Sequence, residues 1–135
     1  MQAWEIGTIT GIDGMRLAAR AELVPGPGEV LVEVIAAGLN FRDLMVLEGR
    51  YGAPKPPERI PLADGVGRIA ALGEGVTGWT SGQRVIAPHF STWIDGPYSL
   101  GVFAKDLGSS ADGWLAEQIL LPANALIAVP EAMSD

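Results

Sequence analysis

Apolar positions along this chain come in short stretches that break at glycine and proline. AWEIG (3–7) and MRLAA (15–19) read as short strands around a GIDG turn (11–14). A Pro-Gly loop, ELVPGPGEV (22–30), precedes VLVEVIAAG (30–38), whose β-branched run predicts a buried strand. The period then changes. In NFRDLMVLEG (40–49), Phe41, Leu44, Met45 and Glu48 fall at helical spacing, and Gly49 supplies a stop. The expected helix has about two to three turns. YGAPKPPERIP (51–61) is too rich in proline for a helix or a central strand. DGVGRIAALG (64–73), QRVIAPH (83–89), GWLAEQILLP (113–122) and ALIAVP (125–130) complete the strand candidates, and residues 90–112 form an irregular insertion. Roughly seven strands to one helix predict a mainly β fold, a small barrel with one or two short helices. Without β-α-β alternation, a doubly wound sheet is excluded from this chain.

Composition narrows the function more than the fold. The 135 residues suit one domain with its own core, and 48% hydrophobic with 19% charged residues is a globular balance. A net charge of −7 opposes nucleic acid or an anionic membrane surface as partner. The absence of cysteine removes disulfides and thiolate zinc sites. MQAWEIGTIT lacks the features of a signal peptide, and no run approaches the ~20 apolar residues of a membrane span. The expectation is a soluble, cytoplasmic protein.

LGEGVTG (72–78) contains Gly73-x-Gly75-x-x-Gly78, the literal spacing of a dinucleotide-binding turn. That turn must open a helix, whose dipole and amides hold the pyrophosphate. Here WTSGQRV follows and leads into another strand. Gly73, Gly75 and Gly78 are therefore expected to supply positive φ in a hairpin turn between two strands.

AAGLNFRDLMVLEG places Asn40, Arg42 and Asp43 directly after an apolar strand. Asn40 suits an N-cap, and Asp43 stands at N3 of a capping box. A helix N-terminus also aims amides at an anionic or carbonyl oxygen, so capping and ligand binding are compatible.

Three blocks, GLNFRDLMVLEGRYG, IPLADGVGRIAALGEGVTGWTSGQRV and DGWLAEQILLPANALIAVPEAMSD, resemble the N-terminal, GroES-like catalytic domain of the medium-chain dehydrogenase/reductase superfamily. The first block is similar to the zinc-independent branch of quinone oxidoreductases and enoyl reductases; the tail is more similar to alcohol dehydrogenases. The resemblance implies an NAD(P)-dependent oxidoreductase. It would transfer hydride between nicotinamide and an alcohol or carbonyl, quinone or enone. Asn40 stands where zinc-dependent members carry a cysteine ligand, and Leu62, Ala63 and Asp64 match their Gly-His-Glu. The resemblance thus implies a site without zinc, and residues 90–112 occupy the place of the four-cysteine zinc lobe.

By the same resemblance Asn40 and Tyr51 lie beside the nicotinamide, with Asp43 orienting its neighbours. Asn40, Arg42 and Tyr51 are the expected cofactor contacts. Tyr51 is open to three roles: proton donor, pocket wall or idle loop residue. Arg42 meets an anionic group or, as slightly favoured, is solvated. Asp64, His89 and Trp93 are substrate-pocket candidates, with Tyr98 beside Trp93; as a lone histidine His89 otherwise reads as structural or solvated, and Trp79, Trp93 and Trp114 read as core or rim. Glu117 is expected to face outward or meet an arginine. NADP or NAD would be held mainly by a Rossmann domain after residue 135, leaving this chain inactive alone. The implied partners are that domain, a small-molecule substrate and, as an open option, a second copy in a homo-oligomer. The alternative is a non-catalytic GroES-like barrel serving binding or assembly.

Overall fold

The computed structural model describes residues 1–8, 10–52 and 55–134. Ala53 and Pro54 of the Pro-rich loop lie outside the described residues. The domain is mainly β. Strands β1 (Gln2–Ile6) and β2 (Met15–Ala19) form an antiparallel hairpin, with a short 3-10 turn over Ile12–Gly14. Then come β3 (Glu29–Gly38), helix α1 (Phe41–Leu47), β4 (Asp64–Leu72), β5 (Arg84–Ile86), β6 (Gln118–Pro122) and β7 (Ile127–Ala128). The five-stranded sheet runs β6-β3-β4-β5-β7 with every pairing antiparallel. The hairpin joins it through backbone bonds from Trp4 to Leu115 and from Glu117 to Gln2.

The core lies on one face of this sheet. Val30, Val32, Ile69, Val85, Ile119 and Leu121 pack around Trp114, which is fully buried. The alternation in β4 (Gly67, Ile69) and β6 (Ile119, Leu121) puts one side chain in two on that face.

Strand β3 departs from its expected burial. Val30–Val32 are buried, but Ile35 and Ala36 are exposed. The reason is the neighbour: β6 pairs with β3 only over Glu29–Glu33, and β4 alone accompanies the rest. Register shifts at Leu31/Val32 and Val34/Ala36 bend the β3–β4 ladder. Its far end still pairs Gly38 with Asp64, and that pairing builds the site.

The LGEGVTG segment joins β4 to β5, antiparallel neighbours, and no helix follows it. Gly75 and Gly78 have φ of 76° and 81°. Gly73 has a different function from the expected one: a Cβ there would lie 1.9 Å from the Gly26 carbonyl oxygen, so close approach to the 22–30 loop demands the glycine. The link to β5 is also longer than a tight hairpin, because β5 begins only at Arg84.

Candidate active site at the helix N-terminus

The β3–β4 pair delivers Asn40 and Asp64 to the same rim. Asn40 is the N-cap of α1, with extended backbone (φ −121°, ψ 155°), and Asp43 at N3 completes a capping box. The Asn40 N–H donates to Asp43 Oδ2 at 2.9 Å. The Asn40 side-chain amide donates to Asp64 Oδ2 at 2.5 Å. Both Asn40 and Asp64 are exposed, while Asp43 is buried. The amide is thus held by one carboxylate and leaves its second N–H for a ligand.

Burial, the largest influence, raises the Asp43 carboxyl above its usual range, against hydrogen bonds from the Asn40 and Ala63 backbone and the charge of Arg42. A carboxyl that is harder to ionise in the folded state binds more protons there than in the unfolded chain. Its contribution to stability is therefore greatest at acid pH. It declines as pH rises through the interval from the ordinary value of 3.8 to the raised one. In urea melts across that interval, stability of the Asp43→Asn protein is expected to fall less with pH than that of the parent. Equal slopes would refute the assignment.

Arg42 is not solvated. Its Nη2 donates to Asp106 Oδ1 at 2.6 Å and to the Leu107 carbonyl at 2.8 Å, and its Nη1 lies 3.5 Å from Asp43 Oδ1. Its Cζ sits 4.8 Å from the centroid of the Tyr51 ring. Burial works to lower the guanidinium pKa, but Tyr51 and Asp106 outweigh it and leave the value raised. Tyr51 is partly buried against Ile6, Val46 and Leu47. Lys55 approaches the same ring, with Nζ 5.7 Å from its centroid. Its ammonium pKa is lowered, chiefly by burial, with Arg42 and Arg59 adding to the effect and Asp106 opposing it.

The structure therefore gathers Asn40, Arg42, Asp43, Tyr51 and Asp64 around the start of α1. Among the described residues no hydrogen bond, ion pair or ring contact ties the side chain of His89 or Trp93 to them. His89 packs on Phe90 at 4.0 Å between ring centroids, and its carbonyl accepts from the Leu107 N–H. Trp93 belongs to an aromatic cluster with Phe90 and Tyr98. Trp79 is partly buried and donates to the Ala123 carbonyl at 3.0 Å. Glu117 is exposed and accepts from the Gln2 backbone N–H at 2.7 Å, in place of an arginine.

Asp106 and Lys55 escaped sequence reasoning. Asp106 is 64 residues from Arg42, within an irregular segment that carries no periodic signal. Lys55 sits among prolines, and nothing local distinguishes it from a solvated loop lysine.

Among the described residues no group of three or more His, Cys, Asp or Glu is arranged to hold a metal ion. At the rim the donors are one carboxylate, Asp64, and an amide bonded to it, a poor match to zinc. Leu62, before β4, has φ 74° and is buried, so a leucine there holds a backbone conformation that suits glycine.

A cavity of about 680 Å³ opens elsewhere, bounded by Arg59, Lys105, Asp112 and Gln118, and it shares no lining residue with the Asn40 cluster. The cluster is instead an open rim with apolar flanks: Leu39, Phe41 and Leu44 are exposed beside it.

A bulged β3–β4 ladder thus sets a capped helix N-terminus and a partly buried tyrosine at the rim of a mainly β domain. The chain belongs to the alcohol dehydrogenase GroES-like domain family, which its residues 26–131 match. It is 38% identical over 108 residues to a zinc-type alcohol dehydrogenase-like protein of Schizosaccharomyces pombe, covering 80% of this chain and 31% of that protein. A putative alcohol dehydrogenase from Sinorhizobium meliloti 1021 superposes with a TM-score of 0.85 at 32% identity, over 98% of this chain and 40% of that one. An NAD-dependent alcohol dehydrogenase superposes with a TM-score of 0.84 at 29% identity, over 99% of this chain and 41% of that one. The chain thus spans well under half the length of these relatives. The fold is the GroES-like fold of the medium-chain dehydrogenase/reductase catalytic domain, as the motif order implied.

Proposed function

We propose that this domain is the substrate-side wall of a zinc-independent, nicotinamide-dependent oxidoreductase site, acting on an alcohol or carbonyl, a quinone or an enone. The observation that carries this reading is the Asn40–Asp64 contact: the position that would offer a metal ligand holds an amide already bonded to a carboxylate. Family membership and the likeness to an NAD-dependent enzyme support a nicotinamide cofactor. When bound, that cofactor supplies the hydride.

The residues of this chain do the rest. The exposed apolar flank of Leu39 and Phe41 excludes water from one side of a flat ring. The free N–H of Asn40 and the hydroxyl of Tyr51 are hydrogen-bond donors for an oxygen that gains negative charge as hydride arrives. Tyr51 also holds a proton to give to that oxygen. The grip on the pyrophosphate belongs to a Rossmann domain in the same enzyme, so the chain alone binds nicotinamide weakly.

Three measurements test this. The 135-residue chain is expected to turn over no NADPH or NADH with alcohols, quinones or enones; saturable turnover by it would overturn the division of labour. In the protein that joins this domain to its nicotinamide-binding portion, Asn40→Ala and Tyr51→Phe are each expected to lower kcat about 10²-fold. A chelator should leave the parent rate unchanged. Loss of rate on chelation, restored by zinc, would sink the metal-free reading.

A further inference from the structure

Residues 90–106 stand outside the sheets as a small lobe with its own packing. Phe90 meets Phe103 edge to face at 5.0 Å, and Trp93 meets Tyr98 at 6.0 Å. A 3-10 stretch over Leu100–Lys105 precedes a bridge between Phe90 and Asp106. The Asp106 backbone is fully engaged at the lobe's base: its N–H donates to Ser110 Oγ at 2.9 Å, and its carbonyl accepts from Ser109 and Ala111. Its side chain, 1% exposed, points the other way, to Arg42.

Arg42 is held on each side. Asp106 and Leu107 take one terminal nitrogen, Asp43 lies against the other, and the Tyr51 ring covers the guanidinium carbon. A planar guanidinium can stack on a ring while its edge donates hydrogen bonds, which an ammonium cannot do. A buried ion pair contributes little net stability over an apolar pair, so its use lies in fixing one geometry.

We propose that Asp106 is a positioning residue: it holds Arg42 against the Tyr51 ring, so the 90–112 lobe sets where Tyr51 stands at the reactive rim. This rests on the reading of Tyr51 as a wall of the nicotinamide site. In this chain an ion pair gives the lobe its hold on the site. The same contact explains why an insertion distant in sequence ends on the first turn of the site helix.

The chain has two tyrosines, so Tyr98→Phe leaves Tyr51 as the one phenol ring in an NMR spectrum. In that background Asp106→Asn is expected to shift the Tyr51 ring signals, and Asp106→Glu to return them toward the parent. An Arg42→Met/Asp106→Leu pair keeps the contact packed but removes the cation. It should shift the ring in the same sense, and it provides the reading if Asp106→Asn fails to fold. Tyr51 signals that stay at parent positions in the folded variants would overturn the proposal. Nicotinamide added to the longer protein asks the separate question. A ring that answers to Asp106 but not to nicotinamide keeps the positioning role and removes the site reading.

Discussion

Asp106→Ala is expected to destabilise the domain by about 3–5 kcal/mol, a large part of the ~5–15 kcal/mol that holds a typical domain together. The loss does not measure the worth of the ion pair. It comes from Arg42, whose side chain is 16% exposed and would keep its charge with only Asp43 Oδ1, 3.5 Å from Nη1, as ionic partner. Among the described residues Arg42 Nε already lacks a hydrogen-bond partner. The Leu107 carbonyl would remain as a neutral acceptor, with Asp43 as a more distant carboxylate. The Arg42→Met/Asp106→Leu pair should recover most of the loss, since it removes both charges together. Urea denaturation of the three proteins, followed by tryptophan fluorescence, checks this. A single alanine variant as stable as the parent would show that Arg42 finds water when Asp106 is gone.

Trp114→Ala is expected to cost about 3–5 kcal/mol by a different route, the cavity left by the largest buried ring. Trp114 is wholly buried and central to the core. It lies directly on β4, where a Cβ at position 65 would come within 2.4 Å of its indole. Gly65 is what lets the ring lie flat on the strand, so Gly65→Ala should push the indole out and mimic part of the loss. Among the described residues the Trp114 Nε1–H has no partner, so Trp114→Phe removes an unpaired donor along with one ring. A much smaller drop is expected for phenylalanine than for alanine. Thermal melts of the three variants check the order; equal losses for phenylalanine and alanine would refute it.

Helix α1 was legible because each of its signals is local. Asn40 caps it, Asp43 answers from N3, and Gly49, with φ 68°, ends it. Strand β2 falls on the residues expected, Met15–Ala19. The failed dinucleotide fingerprint was legible too, because a strand followed by a strand cannot present a helix N-terminus to a phosphate. The burial of β3 beyond Glu33 was not legible, since it depends on where β6 stops pairing. The role of Gly73 was missed for the same reason: its partner, Gly26, lies in another loop.

The candidate site divides along the same line. Asn40, Asp43 and Tyr51 were named from one short motif, in which spacing along the chain is spacing in space. For Arg42 the local sequence leaves an anionic partner and a solvated side chain both open. Its nearest carboxylate, Asp106, arrives from the 90–112 lobe, and only packing of that lobe on α1 makes the contact. His89 packs on Phe90, in keeping with the structural reading of a lone histidine, and Trp93 sits in the aromatic cluster of the lobe.

By itself, then, the sequence determined the mainly β class, the capped helix, the turn nature of LGEGVTG and the family's motif order. These rest on hydrogen bonds, φ preferences and periodicity within a few residues. The tertiary structure alone decided which half of β3 is buried, that Asn40 binds Asp64, and that Arg42 is clamped between Asp106 and Tyr51. Those are contacts between segments far apart in the chain. No residue's local pattern encodes them, because their energy comes from partners that the fold supplies.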